Sequence, residues 1–385
     1  MTTKINNEHK KLNVPNLRFK EFQGEWEKTK FGDIAIVVGG GTPDTNTSQY
    51  WNGKIQWFTP SEIGRNKYVY NSVRTISEEG LNKSSAKLLP IGTILLSSRA
   101  TVGECSINKK ECTTNQGFQS LIPKENISNE FVYYLIQTKR KVLIRKSCGS
   151  TFLEISANEV RKIVVSIPTI KEQDKIAKLL SLLDERIATQ NKIIEDLKKL
   201  KSAISKKLLC NDKWTTYKIQ DIAEIGRGRV ISSVEIDRQK HPLYPVYSSQ
   251  TSNDGIMGYL DNYMFDGEYI TWTTDGANAG TVFYRKGKFN CTNVCGTLKI
   301  QPKFDCYFVS LVLQQATQKY VSSNLANPKL MNNTMASIKI RMPNIETQKQ
   351  LSKVFQTLDS CLLVHQRTCR MYLSEKQYLL CQMFI

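Results

Sequence analysis

The chain has 385 residues, 40% of them hydrophobic and 9% aromatic, and its 54 Lys+Arg against 35 Asp+Glu leave a formal net charge of +19. That length suits two domains with connectors, the composition is that of a folded chain, and the surplus of cations points to a polyanionic partner, with nucleic acid foremost. No apolar run reaches the ~18 residues of a membrane span, and the opening "MTTKINNEHKK" has no apolar core, so neither a spanning helix nor a secretory signal is expected.

After an N-terminal segment (residues 1–25), a first β-rich domain is expected over 26–168. Its opening, "GEWEKTKFGDIAIVVGGGTP" (Gly24 to Pro43), ends in glycines. Pro43 and the polar residues after it do not begin a hydrophobic helix, so this is a turn and not a dinucleotide site. Further on, "GTILLSSRATVGE" (Gly92 to Glu104) reads as a strand, a polar turn and a return strand. Pro168 then marks a helix start, with Thr169 and Glu172 spaced as a capping box. Over 169–210 the apolar ladder is Ile176, Leu180, Leu183, Ile187, Ile194, Leu197, Ile204 and Leu208, with Gln190 and Lys201 interrupting it. Alternating steps of four and three make a heptad seam, narrow enough to pair with another helix. About 39 residues of helix reach roughly 58 Å at 1.5 Å per residue.

The second half repeats the first. A second β-rich domain over 211–343 opens at "DKWTTYKIQDIAEIGRGRVI", matching Trp214 to Trp26 and Asp221-Ile222-Ala223 to Asp33-Ile34-Ala35. "GEYITWTTDGANAGT" (Gly267 to Thr281) takes the place of the earlier strand–turn–strand, and "NPKL" (Asn327 to Leu330) reads as a turn. A second helix over 344–385 enters through "MPNIETQKQLSKVFQTLDSCL", which aligns with "IPTIKEQDKIAKLLSLLDERI" at a constant offset of 175. Asn344 is its expected cap; its seam runs Leu351, Phe355, Leu358, Leu362, Cys369, Tyr372, Leu379, Met383, interrupted by His365 and Lys376. Two such units imply duplication, and two long helices after two domains predict an antiparallel coiled coil with a pseudo-twofold axis, an α+β architecture of two mixed α/β domains separated by the helices.

Motifs for chemistry are missing. There is no phosphate loop, no glycine motif for S-adenosylmethionine, no nuclease-like carboxylate cluster and no triad context around His365. The three histidines (His9, His241, His365) and ten cysteines, of which only Cys291 and Cys295 lie close together, give no metal-ligand spacing, and reduced thiols are expected. Polar loops fit binding better, because Arg pairs with guanine and Asn or Gln with adenine. The DNA-binding candidates are Arg65, Asn66, Lys67, Ser98, Arg99, Thr101, Asn115 and Gln116 in the first half. In the second they are Arg227, Arg229, Ser249, Gln250, Thr251, Asn253, Thr274, Asp275, Asn278 and Asn293.

Taken together, the tryptophan openings, "GGGTP…YWNGKIQWFTPSEI", "LPIGTILLSSRATVGE", the twice-written P-x-I-x-x-Q helix entrance, "YPVYSSQTSNDGIMGY" and the terminal "LLCQMFI" make a pattern over nearly the whole chain that resembles the specificity subunit of a type I restriction–modification enzyme. The resemblance implies that each β-rich part is a target recognition domain reading one half of a split double-stranded DNA sequence. It implies that the helices set the gap and dock modification (methyltransferase) subunits, two of them, with restriction (motor–nuclease) subunits joining through the complex. S-adenosylmethionine, ATP and Mg²⁺ would then sit on those partners, with no cofactor on this non-catalytic chain, and the location would be cytoplasmic. A self-sufficient DNA methyltransferase or nuclease with an unrecognised site is the alternative, and a scaffold without a nucleic-acid role is a third reading. Thr347, Cys361, His365 and Cys369 depart from the usual pattern of the second helix.

Overall fold

The computed structural model describes residues 12–148, 153–209, 211–322 and 327–385; His9 and Cys210 lie outside the described residues. The chain divides into two compact units, Met1–Gln190 with Thr368–Ile385, and Asn191–Arg367.

In the first unit, alternation of buried and exposed residues along Ala35–Gly39 starts a five-stranded sheet. Its order is Ala35–Gly39, Gln119–Pro123, Ile94–Leu96, Cys105–Asn108, Tyr68–Val69, and only the last pairing is parallel. Arg74–Ile76, Trp51–Phe58 and Cys112–Thr114 form a smaller sheet, and Glu27–Lys30 pairs with Val164–Ile167. The amphipathic helix Asn129–Arg145 lays Phe131, Val132, Tyr134, Leu135, Ile136 and Leu143 against this core.

The second unit is built alike. Ala223–Arg227, Cys295–Ile300, Glu268–Thr273 and Val282–Lys286 form an antiparallel sheet, Thr215–Lys218 pairs with Lys339–Met342, and the helix Cys306–Ala316 buries its apolar face. Gly296 lies across from Trp272, and a Cβ there would sit 2.2 Å from the indole, so only glycine admits the ring. Each expected strand–turn–strand segment holds its first strand and turn, but its return strand, Cys105–Asn108 or Val282–Lys286, begins one residue past the expected end; each pair is antiparallel.

The long helices run from Ile170 to Leu208 and from Ile345 to Gln382. They are not free-standing. In the first unit Ile176, Ala177 and Leu180 share one core with Leu380, Met383 and Phe384, and the later Asp184 meets the earlier Lys376, so the segments run antiparallel. In the second unit Ile204 and Leu209 join Leu351, Phe355 and Leu358. The expected seam residues are buried or half-buried, with one correction: Leu208 is exposed and Leu209 is buried, because Leu208 is the last residue of the helix and the buried position passes to the residue just past its end.

The repeated entrance motif has a direct cause. Gln173 donates from Nε2 to the Pro168 carbonyl (2.9 Å), and its Oε1 accepts the N–H of Ser128 (3.0 Å), the residue capping the helix Asn129–Arg145. Gln348 does the same for Pro343 (2.8 Å) and Asp305 (3.0 Å), the cap of Cys306–Ala316. One buried amide thus ties the start of each long helix to the start of its domain helix, satisfying end groups that would otherwise be orphaned. Asn344 caps the second long helix as expected, accepting the Thr347 N–H at 2.9 Å. The capping box at the first long helix is corrected: Glu172 is fully buried, and its carboxylate takes a forked pair from Arg18 (2.8 Å twice) and the Trp26 indole N–H (3.3 Å). A carboxylate this deep is held by the charged fork that neutralises it, and that demand overrides capping.

Candidate nucleic-acid interface

Both sheets end in the same hydrogen-bonded ladder. In the first unit, Ser98 N–H donates to the Gly117 carbonyl (2.8 Å), Ile155 N–H donates to the Ser98 carbonyl (3.1 Å), and Glu154 exchanges two backbone bonds with Cys148 (2.9 and 3.0 Å). In the second, Thr274 N–H donates to the Val294 carbonyl (2.9 Å), Leu330 N–H donates to the Thr274 carbonyl (2.9 Å), and Ser322 N–H donates to the Lys329 carbonyl (3.0 Å). These ladders gather part of the sequence candidates at the end of each sheet.

In the first unit the ladder brings together Ser98, Arg99, Thr101, Asn115 and Gln116. Arg99 pairs with Glu154 at 2.8 Å while both stay partly exposed; Ala100 beside it has φ +57°, which turns the chain outward. Thr101 Oγ1 bonds Ser97 (3.1 Å), Asn115 closes a turn onto the Gly117 N–H (2.9 Å), and Gln116 bonds Thr42. Ser98 itself is buried, so it shapes the turn and does not present its hydroxyl. The glycines of "GGGTP" belong here too: a Cβ at Gly40 would meet the Asn115 carbonyl oxygen at 2.0 Å, and Gly41 N–H donates to Thr114 (2.8 Å). They allow a close backbone approach.

Arg65 and Asn66 are exposed on a loop that Ser106 holds, its Oγ donating to the Asn66 carbonyl at 2.7 Å. Lys67 departs from the sequence reading. Its side chain is only 9% exposed, it pairs with Glu130 at 2.9 Å, it donates to Ser181, and its Nζ lies 4.9 Å from the Tyr134 ring centre. Burial lowers its ammonium below the ordinary value despite Glu130. It braces the domain helix against the long helix and is not presented to a ligand.

In the second unit Arg227, Thr274 and Asp275 come together, with Asn278 nearby on the same turn. Arg227 donates to Thr274 Oγ1 (2.9 Å) and lies 3.4 Å from Asp275, Thr274 donates to Asp275 (2.9 Å), and Asn278 reaches the Ser249 carbonyl (3.4 Å). Thr274 is buried like its counterpart Ser98. Gln250 and Asn253 both donate to the Ile256 carbonyl (2.5 and 3.4 Å), Asn253 in a left-handed conformation, and Thr251 and Asn293 are exposed. Arg229 stands apart in a forked pair with Glu235, which holds its guanidinium above the ordinary value and the carboxyl below.

Sequence reasoning missed Glu154, Lys329 and Arg285. Lys329 lies 3.6 Å from Asp275; Arg285 is buried, pairs with Asp254 at 2.8 Å and stacks 3.6 Å from the Tyr247 ring centre. The 175-residue offset, extended back from the prolines, matches Glu154 to Lys329 and would have found that pair.

A second repeated cluster sits where the long helices pass each domain. In the first unit Tyr134 donates to Asp184 (2.7 Å), which also accepts Lys376 (2.6 Å). In the second, Tyr307 donates to Asp359 (2.5 Å), which also accepts Lys201. The two lysines that interrupt the seams, Lys201 and Lys376, are therefore held in ion pairs anchored by a domain tyrosine. Burial and the adjacent carboxylate raise the Tyr134 hydroxyl far above the ordinary range, so it remains a donor.

Cys291 and Cys295 are both buried, and the nine described cysteines are free thiols. Among the described residues no group of three His, Cys, Asp or Glu could hold a metal ion, and no helix is long and apolar enough to cross a membrane.

Residues 23–199 and 211–368 match the family model of the type I restriction modification DNA specificity domain. The chain belongs to this family. The MjaIX type I restriction enzyme specificity subunit of Methanocaldococcus jannaschii is 40% identical over 180 residues, which are 46% of this chain and 42% of that protein. A putative type I specificity subunit of Mycoplasma pneumoniae is 39% identical over 196 residues, 50% of this chain and 82% of its own length. The fold agrees with the type I restriction–modification S subunit from M. genitalium: TM-score 0.68 at 17% identity, over 97% of this chain and 99% of that one. Each unit thus carries one of the family's DNA specificity domains, and the ladder-end clusters lie one in each domain.

Proposed function

We propose that this type I specificity chain is the sequence-reading component of a restriction–modification complex and works in the cytoplasm. Each unit reads one half of a bipartite double-stranded DNA target with its ladder-end cluster. The long helices fix the gap and offer the surface on which two modification subunits dock; restriction subunits join through them. Chemistry resides on those partners, which bind S-adenosylmethionine, ATP and Mg²⁺, and this chain contributes positioning alone.

One observation carries the reading: a matching ladder is built twice, and each time it places a guanidinium and a carboxylate at the end of a sheet. Those groups match the donor and acceptor patterns of base edges in the major groove. The net charge of +19 supplies the non-specific attraction to phosphate. Footprinting of the assembled complex on a plasmid library tests it. Two protected patches separated by a fixed unread gap are expected, and a single contiguous patch would overturn it.

A further inference from the structure

The two ladders carry an ion pair of opposite polarity at the same place. In the first unit Arg99 bridges to Glu154; in the second Asp275 bridges to Lys329. The neighbouring backbone bonds are equivalent one by one: Ser98 to Gly117 and Ile155 in the first, Thr274 to Val294 and Leu330 in the second. Glu154 leans on Cys148 as Lys329 leans on Ser322, whose hydroxyl also accepts the Lys329 N–H at 3.2 Å. The frame is the same apart from that serine hydroxyl in place of one backbone carbonyl, while the charges are exchanged.

In the first unit folding does not demand that polarity. There the Arg99 and Glu154 side chains are 43% and 39% exposed, and a pair so solvated adds little to stability in either polarity. In the second, Lys329 is 42% exposed and Asp275 22%, where Thr274 and Arg227 also hold it. What the exchange alters is the group offered at the sheet end. A forked donor matches guanine, whose O6 and N7 are both acceptors, while a carboxylate matches the amino group of cytosine.

Building on the function proposed above, we propose that these pairs set the base polarity of the two half-sites: Arg99 reads a guanine and Asp275 a cytosine. Glu154 and Lys329 are positioning residues that hold the reader extended in the free chain. Arg227, reaching Thr274 and Asp275 together, aims the second reader.

The test uses the full chain assembled with its modification subunits, with the methylated motif read by sequencing host DNA. The double variant Arg99→Asp/Glu154→Lys writes the second unit's polarity into the first. It is expected to invert a guanine preference to cytosine at one position of one half-site, by about ten- to hundredfold, with the other half-site and the gap unchanged. Asp275→Arg/Lys329→Glu is expected to alter the other half-site alone. A bipartite motif that both swaps leave unchanged overturns the assignment of polarity while the bipartite reading itself stands. A wild-type motif that is not bipartite overturns that reading instead. If a swapped complex gives no methylation, Arg99→Gln decides. Ambiguity at one position supports the proposal; an unchanged motif, or equal weakening at every position, overturns it.

Discussion

Replacing Asp184 by Ala removes two interactions at once, the 2.7 Å hydrogen bond from Tyr134 and the 2.6 Å ion pair from Lys376. The Asp184 and Lys376 side chains are 25% and 17% exposed, so the variant leaves a largely desolvated ammonium and a phenol without their acceptor. A hydrogen bond to a charged group contributes about 1.5–3 kcal/mol, and an orphaned partner adds to the loss, so the first unit should lose about 3 kcal/mol. In a double-mutant cycle with Lys376→Met, the pair's own coupling should be about 1–2 kcal/mol. The Asp359–Lys201 pair of the second unit has the same chemistry, but its side chains are 40% and 25% exposed, and solvent screening should hold its coupling below about 1 kcal/mol. Native-state hydrogen exchange on peptides from Asn129–Arg145 and from Cys306–Ala316 reads the two units separately. Additive variants in the first unit, or a larger coupling in the second, would refute the view that burial sets the strength of these anchors.

Gly296→Ala should destabilise the second unit by at least about 1–3 kcal/mol, since the added methyl meets the Trp272 ring at 2.2 Å; unchanged exchange protection there would contradict this. Burial raises the Glu130 carboxyl, but hydrogen bonds from Tyr68, Lys67 and Ser181 outweigh it and hold it below its ordinary value. Its contribution is therefore present above the unfolded-state pKa and lost as pH falls through the folded one, and Glu130→Gln should flatten the acid limb of the first unit's stability profile. Asp184 and Lys201 are as far apart along the first long helix as Asp359 and Lys376 along the second. Matched seven-residue insertions between those anchors in both helices should add about 10 Å and lengthen the recognised gap by about three base pairs, with both half-sites kept. An unchanged gap would remove the spacer role.

The repeat, the helix seams and the strand–turn–strand pairs were legible because they follow from periodicity and spacing, which are local in sequence. Glu172 was misread because its spacing from Thr169 suits a cap equally well, and its true partner, Arg18, is 154 residues away. Lys67 was misread for a related reason: a lysine flanked by Arg65 and Asn66 looks like a surface loop until Glu130 and Ser181 are folded against it. Glu154 and Lys329 were missed because each stands alone in its own stretch; the 175-residue offset aligns the two, but that each pairs with a reader in its ladder shows only in the folded units.

Sequencing of methylated DNA from cells carrying this chain with its modification subunits tests the central claim most directly. A motif of two short specified blocks separated by a gap of constant length and arbitrary sequence is the predicted result. A contiguous motif, or a gap that varies between sites, would contradict it.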